Sequence, residues 1–257
     1  MTVREFYARL EKRYPRELSA PWDNDGLMCC ADPGAEVKKV LLSLDATAQA
    51  VERAAAGDFD VLLTHHPMIF RGVRSFVGGE FPADRVLAAL NGKVTVISLH
   101  TRLDAADGGV NDSLAAAMGL DPSTLEKFGD GECPTLGRIA ELPEEKDVDV
   151  LAALVKNVLG APFVRVTGRG KVKRIALVGG SGKDLTGPAA AAGADVLVTG
   201  ESGYNVAEDA AESSLMTVEA GHYHSEAPVL DSLDLFIRSL DSGIETEKFC
   251  SCAYRTV

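Results

Sequence analysis

Apolar positions along this chain follow two alternating rhythms. Short unbroken runs, "KVLLSLD" (39–45), "DVLLTHH" (60–66) and "KVTVISLH" (93–100), have the length and β-branched content of strands buried on both faces. Between them, alanine-rich stretches place apolar residues at helical spacing. "ATAQAVERAAAG" predicts a helix that stops at Gly57, and "PADRVLAALNG" one that begins near Pro82 and ends before Gly92. "GGVNDSLAAAMG" resumes helix, and at the N-terminus Val3, Phe6 and Leu10 fall at helical intervals among charges. Residues 121–135, "DPSTLEKFGDGECPT", are polar and rich in breakers, so they read as a loop. Beyond them "LGRIAEL", "FVRVTG", "VKRIALVGG", "DVLVTG", "SLMTVEAGH" and "GIETEKFC" predict strands, with helices near 147–158, 184–192, 204–212 and 226–240. Such alternation predicts an α/β fold of mostly parallel or mixed sheets flanked by helices. The expected domains are 1–125 and 126–257, with the C-terminal segment free to pack back on the first.

The two halves resemble each other. "VKKVLLSLD" (37–45) and "VKRIALVGG" (172–180) each lead through an alanine-rich helix to "DVLLTH" or "DVLVTG" at the same interval. A further strand in each half closes on a histidine with an acid four places later: His100 and Asp104 in "HTRLD", His222 and Glu226 in "HYHSE". Generic βα units look alike, but the shared interval and shared ending point to two similar, duplicated α/β domains, with a metal site expected between them.

Composition narrows the function. A formal net charge of −12 argues against a binder of nucleic-acid backbone, although a local site for a small anion stays open. No apolar segment has the length of a signal peptide or membrane span, so a soluble cytoplasmic protein is expected. Its five cysteines do not make a C-x-x-C pair, and reduced, mostly buried thiols are expected.

All five histidines, 65, 66, 100, 222 and 224, fall at or just after predicted strand ends, the edge where open α/β sheets bind ligands. Along a continuing strand His65 and His66 would face opposite ways, but Pro67 cannot donate to a central ladder, so the strand should end there and the two rings can converge. His65, His66, Asp104, His222 and Glu226 supply imidazoles and carboxylates, the donors of borderline divalent metals such as Zn²⁺, Mn²⁺, Fe²⁺ or Co²⁺. That set is too rich for one catalytic ion with an open position, and suits two ions roughly 3.5–4 Å apart. Taken singly, "HTRLD" has a plainer reading as a strand-end histidine with a helix-capping Asp, and "GHYHSE" as the start of a surface helix. His100 reads as a proton shuttle or a buried structural residue, and His224 as solvent-facing.

Two other stretches stand out. "GGSGKDL" (179–185) lacks the Walker A pattern, with Asp184 at the position that would need Ser or Thr, and reads as a glycine turn before a helix. "PWDNDGLMC" (21–29) holds the only tryptophan beside Asp23, Asn24 and Asp25; it reads either as a packed tryptophan in a turn or as a loop that contacts substrate or subunit.

With these residues in view, the chain resembles the Nif-three-like family of dinuclear metal proteins, homologues of GTP cyclohydrolase I type 2. The resemblance rests on "WDNDGL", "LDAT", "THHPMIF", "HTRLDAADGGVND", "GADVLVTGESGYN" and "AGHYHSE", in that order from residue 22 to 226. It implies that His65, His66, Asp104, His222 and Glu226 bind two divalent metal ions per chain, and that the protein forms a toroidal homohexamer. Its length is that of the family's short form. The family commonly has a histidine where Asn205 stands, so no proton-transfer role carries over to that position. The expected activity is hydrolytic opening of the GTP imidazole ring with release of formate, with GTP or another nucleotide as small-molecule substrate and His100 as proton carrier. The alternative expectation is a non-catalytic metal-binding, metal-delivery or scaffold ring.

Overall fold

The structure is a computed structural model that describes residues 1–255. The chain runs through α1 (Val3–Arg13), β1 (Gly26–Cys29), β2 (Lys39–Ser43), α2 (Ala48–Ala56), β3 (Val61–Thr64), α3 (Ala83–Asn91), β4 (Thr95–Ser98) and α4 (His100–Ala105). It continues with α5 (Val110–Ala117), β5 (Glu126–Phe128), β6 (Gly137–Asp147), α6 (Val148–Val158), β7 (Arg165–Thr167), β8 (Lys171–Ser181), α7 (Thr186–Ala191), β9 (Val196–Glu201), α8 (Tyr204–Glu212), β10 (Met216–Glu219) and α9 (His222–Glu226). It closes with α10 (Val229–Leu240) and β11 (Glu245–Lys248). Two compact units result, one from Met1–Leu103 with Leu230–Ala253, the other built on Asp104–Val229. The break expected at residue 125 falls inside the second unit.

In the first unit the strand order is β1-β4-β3-β2-β11. β4, β3, β2 and β11 run parallel, and β1 joins the edge antiparallel. The apolar runs of β2, β3 and β4 are buried because both faces of such a sheet are covered. On one face Leu41, Leu62 and Val96 pack with Ala50 and Ala54 of α2 and Val86 and Ala89 of α3, so the alanine-rich helices sit close to the sheet.

The second unit orders its strands β5-β6-β8-β9-β10-β7, with β8, β9 and β10 parallel and the others antiparallel. Leu151, Ala152 and Val155 of α6 and Leu114 of α5 cover one face against Ile175, Leu177, Val196 and Val198. Ala189 and Ala210 of α7 and α8 cover Ala176, Val178 and Leu197 on the other.

The expected repeat is visible atom by atom. Asp60, before β3, accepts the amides of Lys38 and Lys39 at 2.7 and 2.8 Å. Asp195, before β9, accepts those of Lys173 and Arg174 at 2.8 and 2.8 Å. Each aspartate ties two parallel strand starts together, which explains why "DVL" opens the second strand in both halves. β1 and β5 were not apparent in the sequence: each is an antiparallel edge strand of four or three residues, too short to show a period. Cys250 and Cys252 are exposed rather than buried, because they follow β11 at the end of the sheet.

Candidate metal centre

β3 ends at Thr64, one residue before the paired histidines. The Thr64 hydroxyl donates to the His66 carbonyl at 2.8 Å, which closes the chain into a turn. The strand alternation that would have split the two rings is thereby lost. Their centroids lie 4.6 Å apart, and the His100 ring lies 5.5 and 5.8 Å from them. His65 is buried, and His66 and His100 are half-buried. His100 is the first residue of α4 rather than the last of a strand.

Two of these rings are braced by carboxylates. Asp45, just past β2, lies 2.9 Å from His66 Nδ1, and Asp23 lies 2.8 Å from His100 Nδ1. An ionised carboxylate only accepts, so each ring donates Nδ1–H and keeps its lone pair on Nε2, the arrangement of a carboxylate–histidine–metal triad. Burial pushes the Asp23 carboxyl up, but His100 and the Thr101 hydroxyl and amide outweigh it and hold it at about 2.

The loop carrying Asp23 is tied down by the "HTR" of α4. Thr101 donates its amide to Asp23 at 3.0 Å. The fully buried Arg102 forks onto Asp25 through Nε and Nη2, both at 2.9 Å, and also bonds Glu11 and the Tyr14 carbonyl. The second acid of "WDND" thus anchors the loop, while the first orients His100. Trp22 stands exposed at the loop's tip, and not packed in the core.

In the second unit, Asp104 is buried one turn beyond His100 on α4. Its carbonyl accepts from Asn111 Nδ2 at 3.2 Å, and Asn111 Oδ1 takes the amide of Gly179 at 2.7 Å. Asp112 meets the buried Arg138 at 2.6 Å, and Arg138 reaches the carbonyls of Ala105 and Ala106 at 3.0 and 2.9 Å. The "ND" of "GGVND" therefore fixes the backbone around Asp104.

His222 opens α9 as His100 opens α4. Its Nδ1 lies 3.0 Å from Glu201 and its Nε2 3.1 Å from Glu226. With Nδ1–H donated to Glu201, the Nε2 lone pair faces a carboxylate oxygen, a contact that calls for a proton or a cation. Gly180 makes the room: its φ is +64°, and a Cβ there would collide with the Glu226 carboxylate and approach His222 Nε2 to 3.1 Å. Within "GGSGKDL", Gly180 thus leaves space for the neighbouring acid and histidine, while Gly182 packs against Thr199. His224 is half-buried rather than solvent-facing.

His65 and His66 of the first unit, and Glu226 of the second, are each side chains of a type that could ligate a metal ion. The donor types, the carboxylates on Nδ1 and the space cleared by Gly180 all suit a borderline divalent cation. Sequence reasoning missed Asp45, Asp23 and Glu201 as bracing acids. Their signal was position: Asp45 just follows a parallel strand and Glu201 ends one.

The whole chain has relatives. The model of the Duf34/NIF3 (NGG1p interacting factor 3) family matches residues 1–255. A Clostridium perfringens protein named GTP cyclohydrolase 1 type 2 homolog is 31% identical over 249 residues, 95% of this chain and 95% of its own. The crystal structure of a hypothetical protein of Staphylococcus aureus superposes with a TM-score of 0.91 at 26% identity, covering 100% of this chain and 99% of that one. That of a Bacillus cereus protein related to NIF3 reaches 0.87 at 22% identity, covering 100% and 99%, a likeness of fold. No described helix is long and apolar enough to cross a membrane. With the family model matched from residue 1 to 255 and the fold shared, the chain belongs to the Duf34/NIF3 family.

Proposed function

We propose that this protein is a dinuclear metal-dependent hydrolase whose ligands are His65, His66, Asp104, His222 and Glu226. The observation that carries this reading is the carboxylate behind Nδ1 of three histidines: Asp45 behind His66, Asp23 behind His100 and Glu201 behind His222. Such partners orient a ring and raise the basicity of its other nitrogen, which suits a ligand or a base better than a structural histidine. Two zinc, iron, manganese or cobalt ions would be held by three imidazoles and two carboxylates. When bound, such ions supply Lewis acidity and bring the pKa of water toward neutrality.

The chain's own part in the reaction falls to His100. Asp23, ionised well below neutral pH, keeps the Nδ1–H in place, so Nε2 is the atom that takes and returns a proton. Trp22 and Phe70 flank that ring. The substrate proposed is GTP, after the name of the Clostridium perfringens relative. Hydrolysis at the carbon between two nitrogens of its imidazole ring would open the ring and release formate. A toroidal homohexamer in the cytoplasm is the proposed form.

The test is to load purified protein with Mn²⁺, Zn²⁺ or Fe²⁺ and measure formate released from GTP, beside Asp104→Ala. Release by wild type and its loss in the variant support the reading. Equal inactivity of both, with metal bound, would instead favour a metal-holding or scaffold ring.

A further inference from the structure

Trp22 is the only tryptophan in the chain, and it is 57% exposed. Phe70 is 48% exposed, and the two rings stand 6.2 Å apart at 75°. Both meet His100 edge-on, at 6.3 and 5.9 Å with interplanar angles of 73° and 87°. Large aromatic rings normally repay burial, so two held in water side by side call for an occupant.

Neither ring hangs on a loose segment. Asp23, next to Trp22, is bonded by His100 and by the amide and hydroxyl of Thr101. Asn24 donates its side-chain amide to the carbonyl of Ile69, the residue before Phe70. The loop of Trp22 and the segment of Phe70 are thereby stitched together, and the corner between their rings is set in advance. A rigid corner of this kind binds a flat partner with little entropy to lose.

We propose that Trp22 and Phe70 form a stacking platform that holds a planar heteroaromatic ring, of the purine class, against His100. A ring lying on one aromatic face meets the other edge-on, the favoured geometry for aromatic contacts. Its ring nitrogens then meet the polar His100 ring, which both aromatic rings flank and which an apolar side chain from a second copy would bury against hydrocarbon. The assignment deepens the hydrolase reading by naming what holds the base, and rests on that reading for the chemistry but not for the binding.

A single tryptophan makes the test direct. Wild-type protein is titrated with guanosine, with GTP, with ribose 5-phosphate and with inorganic triphosphate while the Trp22 emission is followed. Guanosine and GTP are expected to quench it saturably, and the ribose phosphate and triphosphate to leave it unchanged. Phe70→Ala should weaken guanosine binding by about tenfold to a hundredfold, the usual worth of a stacked base, and Phe70→Tyr should restore it. Asp104→Ala should keep the guanosine quench even where formate release is lost, which separates this proposal from the hydrolase. Quenching by ribose 5-phosphate alone, or none by guanosine and GTP, overturns it. So does an emission shift that follows protein concentration without ligand, since Trp22 would then pack against a second copy.

Discussion

His222 Nδ1 lies 3.0 Å from Glu201, as His66 Nδ1 lies 2.9 Å from Asp45 and His100 Nδ1 2.8 Å from Asp23. If this pair orients a metal ligand, replacing Glu201 should cost metal and not fold. Glu201→Ala is expected to lower divalent-metal affinity by about tenfold to a hundredfold, measured by competition with a chelating dye. Because Glu201 is an exposed side chain, the urea midpoint should barely move.

Gly180 and Gly193 separate space from strain. Both have positive φ, +64° and +75°, but a Cβ at Gly193 meets nothing within 4 Å whereas one at Gly180 collides with Glu226. Gly193→Ala should therefore cost about 1 kcal/mol in chemical denaturation and leave metal binding intact. Gly180→Ala should cost more than that and also abolish tight metal binding, because the carboxylate must move. Equal metal affinity in the two variants would mean that Glu226 is not a ligand.

Arg102 is a fully buried charge held by Asp25, Glu11 and the Tyr14 carbonyl. Removing it takes the guanidinium fork from the buried Asp25, which still meets Arg16 and the Ser19 hydroxyl, so Arg102→Met should destabilise the protein by about 1.5–3 kcal/mol. Arg102→Lys should recover only part, since an ammonium cannot make the fork. Denaturant midpoints at neutral pH check both.

Asp23 gives a pH signature. Its folded value of about 2 lies below the ordinary 3.8, so its bonds to His100 and Thr101 stabilise the fold above about pH 4. That contribution, about 2 kcal/mol, is lost as the pH falls through 2. In urea titrations between pH 7 and pH 2, Asp23→Asn should start less stable than wild type. The gap should close on the acid side. A gap of constant size would show that Asp23 is not ionised by these partners.

Much of this was legible in the sequence, and for identifiable reasons. The buried runs of β2, β3 and β4 read as strands because parallel strands covered on both faces need no alternation. Asp60 and Asp195 could be matched because each answers the same pair of strand-start amides. The departure of His65 and His66 from strand geometry followed from Pro67 alone. Why the second half carries Gly200 and Glu201 in the places of those histidines did not. A side chain at 200 would run into Gly180, Ser225 and His222, and Glu201 instead braces His222. The pairing of bracing acid with histidine is illegible for a general reason. Strand-end position marks Asp45 and Glu201, but a carboxylate that supports a histidine from 21 or 77 residues away leaves no spacing to say which ring it meets.

The central claim is that imidazoles and carboxylates drawn from both halves hold two divalent ions. The most direct measurement is the metal content of the purified protein by mass spectrometry of the elements, wild type beside His66→Ala and Glu226→Ala. About two divalent ions per chain are predicted for wild type, with loss in each variant. A wild-type protein that carries no stoichiometric divalent metal after reconstitution, or variants that keep the full complement, would contradict it.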